Sequence, residues 1–413
     1  MELLNEWAKK EFQEREENIK FEISIDDTTD IIKEKINSLL YLKSSEYDIV
    51  MLDIVWTNQY KDHLLNLQLY IDSDTVDLYR PTIISSCQID NRLIALPIFT
   101  DYGIMLYRKD LLNKYERNVP ETWDELEETS LYIMKKEQEA GNTNLCGFIG
   151  QYYAGEGATC NYMEWIYSYR ESFNSECGYF KNNDAIDSLN KMVSFVDKKI
   201  ITDESIHFDE YSSLNYWLDG KTIFMRNWPS SIQSTSIAFE NSKMEFGVTI
   251  LPGRIKGISA SALGGWNLAV SKYSSYPEIS AKAVEYLTSE KLQKLRATLF
   301  NLLPTMEHLY EDEEVCKVID CVLFKNVQGV LRPSDHSNYN QYSEAIYDNY
   351  RKALIKEIDA SHAIQIIVSI AESKLTSVLE TLIHIETYLS LGIVSVILVL
   401  IIFCGIYYTL IEK

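Results

Sequence analysis

The sequence is poor in proline, glycine and histidine, with 8, 16 and 6 of these residues among 413. No stretch rich in proline, glycine or serine divides the chain, so the body is expected to be one intertwined unit. Positive charge is also scarce, since 39 lysines and arginines stand against 61 aspartates and glutamates, for a net charge of −22. A chain of this charge repels phosphate backbones, which excludes nucleic acid as an expected partner.

Signatures of catalysis are missing as well. The sequence has no G-x-S-x-G, H-E-x-x-H or P-loop motif, and none of its histidines pairs with a cysteine or serine at a spacing typical of a catalytic site. Paired carboxylates such as Asp53 and Asp101 could serve a glycosidase, but recognition of hydroxyl groups without chemistry is the simpler interpretation. The chain is therefore expected to be a protein that is not an enzyme and has no cofactor.

Cysteine is sparse, with seven residues in the chain. No spacing is that of a zinc site, so no metal is predicted. The preferred disulfide pairs are Cys160 with Cys177 and Cys316 with Cys321, and an even number of cysteines outside the C-terminal apolar run is compatible with them. Buried free thiols are the alternative, because free cysteine is common in protein cores.

Residues 388–411 form an apolar run without any charge. About 20 residues of helix cross a hydrocarbon core of about 30 Å, so this run predicts one transmembrane helix in contact with the lipid bilayer. Tyr407 and Tyr408 lie where an interfacial aromatic belt is expected. A buried helix of a soluble core is the alternative, although such helices rarely run this long without a polar face.

No apolar signal segment follows Met1, and residues 2–12 have the pattern of an amphipathic helix. Two explanations stay open at this point. A tail-anchored protein would keep its body in the cytosol, whereas a truncated sequence would have lost its leader.

Along the body, predicted strands alternate with helices of 10–15 residues. Residues 47–55 form a nearly continuous apolar run with β-branched residues, which is typical of a strand buried on both faces. Thr122 and Glu125 form a capping-box pattern at the start of the helix predicted over 120–136, and Ser361 is the predicted N-cap of the last helix. This alternation predicts an α/β protein with largely parallel sheets. The other predicted segments are helices at 2–12 and 29–40, a strand at 21–25, and apolar segments at 92–99 and 103–112.

A succession of segments carries a resemblance to a known family. The segments are residues 46–60, 92–115, 120–126, 146–167, 217–231, 246–253, 262–289, 302–305, 310–315 and 332–343. In this order they resemble the family 1 extracellular solute-binding proteins of ABC importers, and within that family the trehalose/maltose-binding branch. Each segment alone is a weak signal, whereas their ordered succession over nearly the whole body is specific.

The resemblance implies a two-lobed periplasmic-binding-protein (type II) clamshell over residues 1–380, followed by the transmembrane helix at 388–411. The chain would cross between the lobes more than once, and ligand in the cleft would be trapped by hinge closure. Two features depart from the family. The short strand and acidic residue that usually open it are absent before Glu2, and a C-terminal span is foreign to it. The expected arrangement is a single-pass membrane protein with an extracytoplasmic binding domain.

Sugar recognition needs aromatic faces for the apolar side of a pyranose and planar polar groups that bridge neighbouring hydroxyls. The matched segments place such residues at strand ends and loops, and two glycines before Trp266 let the backbone approach a ligand. Each candidate has a structural alternative, which is a helix cap or turn for an aspartate, core packing for a tryptophan and a salt bridge for the arginine. The candidates are Asp53, Trp56, Asp101, Tyr102, Gln151, Glu156, Trp228, Gly265, Trp266 and Arg332.

The predicted ligand is a small neutral solute, such as a di- or oligosaccharide. The main hypothesis is a membrane-anchored domain that closes around this ligand. Alternatives are the ligand-sensing ectodomain and first transmembrane helix of a class C G-protein-coupled-receptor-like protein, a binding-protein component of an ABC-type sugar importer, or a degenerate domain that binds nothing. The possible protein partner is therefore the membrane domain of a transporter or a receptor.

Overall fold

In a computed structural model, the described residues are 29–370 without 173–174, 176–182 and 334–338, together with residues 6, 7, 10 and 11. The strands are β1 (Ile49–Asp53), β2 (Gln88–Ile89), β3 (Arg92–Leu93), β4 (Leu96–Tyr102), β5 (Ile104–Arg108), β6 (Cys146–Ile149), β7 (Thr222–Asn227), β8 (Phe246–Thr249), β9 (Ser261–Val270) and β10 (Gly329–Val330).

The α-helices are α1 (Thr29–Tyr41), α2 (Thr57–Tyr60), α3 (Ser73–Val76), α4 (Pro81–Ile84), α5 (Lys109–Lys114), α6 (Trp123–Glu139), α7 (Glu156–Tyr167), α8 (Asn183–Asp197), α9 (Glu210–Leu218), α10 (Ser230–Phe239), α11 (Pro277–Leu287), α12 (Glu290–Phe300), α13 (Glu313–Cys316), α14 (Cys321–Lys325), α15 (Tyr339–Leu354) and α16 (360–370). Short 3-10 turns lie at Lys61–His63, Leu67–Leu69, Ser85–Cys87, Ser205–His207 and Glu307–Glu311.

Two sheets organise the body. In the first, the long strand β9 pairs with β1, β4 and β10. In the second, the strand order is β6-β7-β5-β8. Helices pack against both sheets, and hydrophobic cores fill the space between sheet and helices. This is the two-layered α/β architecture expected from alternating strands and helices.

The prediction of largely parallel sheets is wrong for the described residues. Only the β6–β7 and β10–β9 pairs are parallel there, and the other strand pairs are antiparallel. The cause is the path of the chain between the sheets. Strand β5 enters the second sheet from β4 across Gly103, and β9 enters the first sheet from β8 through residues 250–260. Both run antiparallel to their principal neighbours.

Among the described residues, the chain passes between the two lobes at three places. The first lobe contains residues 29–102 and 261–330, and the second contains 104–260 and 339–370. At the first crossing Gly103 lies so close to a buried glutamate that an added Cβ would be 1.9 Å from Oε1 of Glu164. A residue with a side chain would therefore force this glutamate out of position. The three crossings explain why no linker interrupts the sequence.

Several predicted elements are confirmed. Strand β1 occupies the apolar run at 47–55, and helix α1 covers the predicted helix at 29–40. Helix α6 begins with the predicted capping box, in which the Thr122 hydroxyl accepts from the backbone N–H of Glu125 at 3.2 Å. The described residues of the predicted helix at 2–12 are helical, whereas the predicted strand at 21–25 lies outside the described residues.

The predicted N-cap of the last helix is wrong. Ser361 is the predicted cap, but α16 begins one residue earlier, and the carboxylate of Asp359 accepts from the backbone N–H of His362 at 2.8 Å. Aspartate is at least as good an N-cap as serine, and its position allows the first turn to start at Ala360. Ala363, Ile364 and Ile367 of α16 are buried, so this face of the helix packs against the core.

The cysteines differ in state. The sulfur atoms of Cys316 and Cys321 lie 2.10 Å apart in a disulfide. Cys160 is a free buried thiol on α7 and not half of the predicted bond, and its proposed partner Cys177 lies outside the described residues. The described part of the chain contains no helix that is long and apolar enough to cross a membrane. The span predicted at 388–411 lies outside that part.

Candidate ligand-binding cleft

A cavity of about 420 Å³ lies between the two lobes. Its walls combine carboxylates, one guanidinium, two tryptophans, serines and exposed backbone. The first lobe contributes Asp53, Asp101, Gly264, Gly265 and Trp266, the second contributes Glu156, Gly157, Cys160, Glu210, Tyr211, Leu214, Asn227, Trp228, Ser230, Ser231 and Ser234, and the third crossing contributes Arg332.

Strand register builds the wall of the first lobe. Asp53, the last residue of β1, lies opposite Trp266 of β9, and Asp101 near the end of β4 lies opposite Gly264. Gly265 between them has φ of +124°, a backbone conformation that a residue with a side chain rarely adopts. An added Cβ there would also be 2.6 Å from the carbonyl oxygen of Phe99. The backbone of β9 therefore passes β4 at a distance that only glycine allows.

Three charged side chains join the lobes, and we call Asp53, Arg332 and Glu156 the bridging triad. Arg332 donates from Nη2 to Oδ1 of Asp53 at 2.5 Å and from Nη1 to Oδ2 at 3.2 Å. The same Nη1 lies 3.4 Å from Oε1 of Glu156, which also accepts from the hydroxyl of Tyr339. Arg332 thus contacts one carboxylate from each lobe, although its Nε has no hydrogen-bond partner in the described part of the chain.

Burial raises the pKa of two cleft carboxyl groups, those of Glu156 and Asp101. It raises the pKa of Glu156, with the charge of Asp53 adding to this effect and Arg332 opposing it. Glu156 is also the first residue of α7, where the helix dipole favours a negative charge. Burial raises the pKa of Asp101 to about 7, while Arg226 lowers it and Asp53 raises it further. One oxygen of Asp101, Oδ1, is shut from solvent without a donor among the described residues.

Two side chains of the second lobe, Arg226 and Glu210, fix the ring of Trp228 in the cavity wall. The guanidinium of Arg226 lies 4.0 Å from the centroid of the Trp228 ring, and the indole N–H donates to Oε1 of Glu210 at 3.2 Å. Arg226 donates twice to Glu164, at 2.7 Å each, and once to Oε1 of Gln151 at 2.8 Å. We call Arg226, Glu164 and Gln151 the buried triad, because all three side chains are almost fully shielded from solvent.

The structure brings together seven of the ten candidates from the sequence. Asp53, Asp101, Glu156, Trp228, Gly265, Trp266 and Arg332 line the cavity. The other three, Trp56, Tyr102 and Gln151, do not line it. Their side chains lie behind the walls, and whether any of the ten binds ligand stays a prediction.

The three residues behind the walls have structural contacts. Trp56 packs edge-on against Trp266, with ring centroids 5.7 Å apart. Tyr102 packs against the backbone of β10, where an added Cβ at Gly329 would be 3.0 Å from its ring. Gln151 belongs to the buried triad and also donates to the hydroxyl of Ser213 at 2.9 Å. Trp56 therefore supports Trp266, and Gln151 supports Arg226 behind Trp228.

Sequence reasoning missed the contribution of two helix N-termini. Glu210 and Tyr211 begin α9, while Ser230 and Ser231 begin α10, and all four line the cavity. The capping box of Asp209 and Ser212 was a visible signal for the start of α9. That signal marks a helix end but does not say that the end faces a cleft. Among the described residues, no group of histidine, cysteine, aspartate and glutamate is placed to hold a metal ion.

These features define a two-lobed α/β binding protein of the periplasmic type. The sequence profile of the bacterial extracellular solute-binding proteins matches residues 1–294, and the chain belongs to this family. A probable ABC transporter-binding protein of Deinococcus radiodurans is 33% identical over 329 residues, which cover 76% of this chain and 77% of that protein.

Solved structures of similar fold support the same class. Maltose-bound MalE3 of T. maritima superposes with a TM-score of 0.75 at 27% identity, covering 88% of this chain and 94% of that one. The GacH receptor of Streptomyces glaucescens, studied unliganded and with acarbose, has a TM-score of 0.76 at 21% identity, covering 90% and 93% of the two chains. At that identity the second comparison concerns the fold alone.

Proposed function

We propose that this protein binds a saccharide in the cleft between its lobes and serves as the binding component of an ABC-type sugar importer. The observation that carries the proposal is the cavity of about 420 Å³, which is walled by two tryptophans and by planar polar groups from both lobes. The relative from Deinococcus radiodurans is a probable ABC transporter-binding protein, and MalE3 of T. maritima holds maltose. These relatives favour the importer over the receptor alternative, which no described residue tests.

The chemistry of the walls suits a ligand of two sugar rings or slightly more. Trp228 and Trp266 supply flat faces on opposite lobes for the apolar sides of the rings. Carboxylates accept pairs of hydroxyl hydrogens, and the guanidinium of Arg332 stands beside them in the cavity wall. Serines at the start of α10 supply small polar groups that adapt to either role.

Closure of the lobes follows from where the bridging triad is placed. Asp53 belongs to the first lobe, Glu156 to the second, and Arg332 to the third crossing between them. A second contact joins the lobes nearby, since Asn340 of α15 donates to Oε1 of Gln59 in α2 at 3.2 Å. A saccharide that bonds to these groups would draw the two walls together, which is how hinge-type binding proteins retain their ligand.

The membrane span at 388–411 is part of the proposal. It would tether the binding body, proposed to cover residues 1–380, close to an importer in the bilayer. Extraction of membranes with alkaline carbonate is the measurement, and the full chain should stay in the pellet. A variant that lacks residues 388–413 should be released. Release of the full chain as well would contradict the tether and leave sugar binding untouched.

Titration of the full chain with maltose, trehalose and longer glucans tests the binding function. A saturating sugar at about 100 times its Kd should stabilise the protein by about 2.7 kcal/mol, seen as a rise in the unfolding temperature. Replacement of Trp266 by alanine should remove the shift. No change with any saccharide would contradict the proposal, and release of glucose during the incubation would contradict binding without catalysis.

A further inference from the structure

The charges that line the cavity do not balance. Four carboxylates, Asp53, Asp101, Glu156 and Glu210, face one guanidinium, that of Arg332. Sequence reasoning expected a neutral solute, for which acceptor groups alone would be enough. Three of the four carboxylates, those of Asp53, Glu156 and Glu210, have compensating contacts within the protein.

Both arginines near the cavity are already engaged. Arg332 pairs through its terminal nitrogens with Asp53 and Glu156. Arg226 donates from all three of its nitrogens to Glu164 and Gln151. Neither guanidinium is therefore left to neutralise a further carboxylate in the cleft.

The remaining carboxylates, Asp101 and Glu210, have different surroundings. Glu210 is the first residue of α9, where the helix dipole favours its charge, and it accepts from the indole N–H of Trp228. Asp101 lies near the end of a strand, and its Oδ1 is shut from solvent without a donor among the described residues. A buried carboxylate needs both hydrogen bonds and an opposite charge to be stable. Oδ1 of Asp101 has no donor among the described residues, and the opposite charge that acts on Asp101, that of Arg226, is already paired with Glu164.

We infer that the saccharide held in this cleft carries a basic amino group, whose ammonium pairs with Asp101. The inference rests on the proposed function and specifies its substrate class. A neutral hydroxyl would give the carboxylate a donor but leave its charge uncompensated, whereas an ammonium supplies both. Asp101 and Trp228 also flank the same backbone position, since an added Cβ at Gly264 would be 3.3 Å from each of them. An aromatic ring next to a carboxylate is a favourable surrounding for an ammonium group.

The ionisation of Asp101 agrees with this assignment. Its pKa, raised to about 7, reflects burial and the charge of Asp53, against the opposing charge of Arg226. The other charged groups that line the cavity are Glu156, Glu210 and Arg332. A ligand ammonium would lower this pKa and hold Asp101 ionised at neutral pH. Preference for the amino sugar should therefore weaken on acidification, as Asp101 becomes protonated.

The test compares matched sugars on the full chain in lipid nanodiscs by titration calorimetry at pH 7.5. Each pair is a neutral disaccharide and its amino-deoxy analogue, such as trehalose with 2-amino-2-deoxytrehalose and maltose with its 2-amino analogue. The amino member is expected to bind about tenfold more tightly or better, because charge-assisted hydrogen bonds are about twice as strong as neutral ones. The ratio of affinities should fall toward one in an Asp101→Asn variant, and also in the unmodified protein at pH 5.5.

The outcomes separate the two proposals. Equal or tighter binding of the neutral member of each pair would overturn the amino-sugar inference and leave saccharide binding intact. A preference that survives both Asp101→Asn and pH 5.5 would remove Asp101 as the ammonium partner. If no sugar of either series binds, the proposed function and this inference both fail. The measurement at pH 5.5 uses the unmodified protein, so it tests the role of Asp101 even if Asp101→Asn folds poorly.

Discussion

Two buried arginines stand on either side of the cleft wall, and they differ in what surrounds them. Arg226 in the buried triad has every nitrogen paired, and it lies behind Trp228 without lining the cavity. Arg332 in the bridging triad lines the cavity, keeps an unpartnered Nε and contacts carboxylates of both lobes. Both are almost fully shielded from solvent. Burial alone therefore does not separate a supporting charge from one placed to meet a ligand.

The difference lies in how completely the polar atoms are satisfied. A buried network whose atoms are all paired gives rigidity and a fixed geometry, and here it fixes the position of a tryptophan. A network that lines the cavity and has an unpaired polar atom keeps a binding capacity that a ligand can use. This comparison predicts that changes in the buried triad act on stability, whereas changes in the bridging triad act chiefly on ligand affinity.

Removing a member of the buried triad should cause the largest loss in the free energy of unfolding. Arg226→Met removes the partner of Glu164 and leaves a carboxylate uncompensated in the core, which typically costs about 3–5 kcal/mol. Chemical denaturation at neutral pH would measure the loss in the free energy of unfolding. Adding Glu164→Gln to this variant should recover part of the loss, because the uncompensated charge is then gone.

The surface arginine Arg254 offers a matched control. Its ion pair with Asp184 is exposed, and exposed pairs contribute about 0–1 kcal/mol. Arg254→Met should therefore leave the free energy of unfolding within about 1 kcal/mol of the unmodified protein. A loss at Arg226 no greater than that at Arg254 would remove the distinction between a supporting network and a surface pair.

A change in the bridging triad should lower ligand affinity more than it lowers stability. Arg332→Met is expected to weaken saccharide binding by about 2–5 kcal/mol, because a ligand donor is lost and two carboxylates are left facing each other. Stability should fall less than in Arg226→Met, since the carboxylates of Asp53 and Glu156 line a cavity that water can enter. Calorimetry and thermal unfolding on one sample give both quantities. Intact affinity with a large loss of stability would reverse the assignment of the two triads.

How much of this site the sequence reveals depends on whether neighbours in space are also neighbours in the chain. Trp266 was predicted because two glycines precede it, and Asp53 because it ends a buried strand, so both signals are local. Glu210 and Ser230 had no such signal, because only the packing of α9 against β7 and of α10 against α9 turns them toward the cleft. The lobes were expected from an ordered resemblance over the body, but strand direction was not, since it depends on crossings that periodicity does not show.

A smaller loss of stability is expected from a substitution in β9, the strand whose backbone forms part of the first-lobe wall. Gly265→Ala would place a side chain at φ of +124° and 2.6 Å from the carbonyl oxygen of Phe99. Such strain costs on the order of 1–3 kcal/mol, and it should also disturb Asp53, because Ile54 donates to the Gly265 carbonyl at 3.3 Å. Gly264→Ala is the matched control, since its nearest contacts are at 3.3 Å and involve side chains. Thermal unfolding should rank Gly265→Ala as the more damaging, and the reverse order would contradict this account of β9.

The smallest effect is expected at Asp101, whose carboxyl feels one charge from each triad. Arg226 lowers its pKa and Asp53 raises it, and burial leaves the value at about 7 against an ordinary value of 3.8. In the unfolded chain the group ionises near its ordinary value, so between these pH values the folded protein holds the extra proton. Stability of the ligand-free protein should therefore fall as pH rises from about 4 to about 7 and lose no more from this group above that range.

Asp101→Asn removes this titration while keeping the shape of the side chain. The unmodified protein should lose stability from pH 5 to pH 8 as Asp101 ionises, and the variant should not. The stability of the variant minus that of the unmodified protein should therefore rise by on the order of 1–2 kcal/mol, once water in the cleft is allowed for. Thermal unfolding of both proteins at the two pH values measures the difference. An equal difference at pH 5 and pH 8 would show that Asp101 ionises normally in the folded protein. In that case neither triad would alter its pKa.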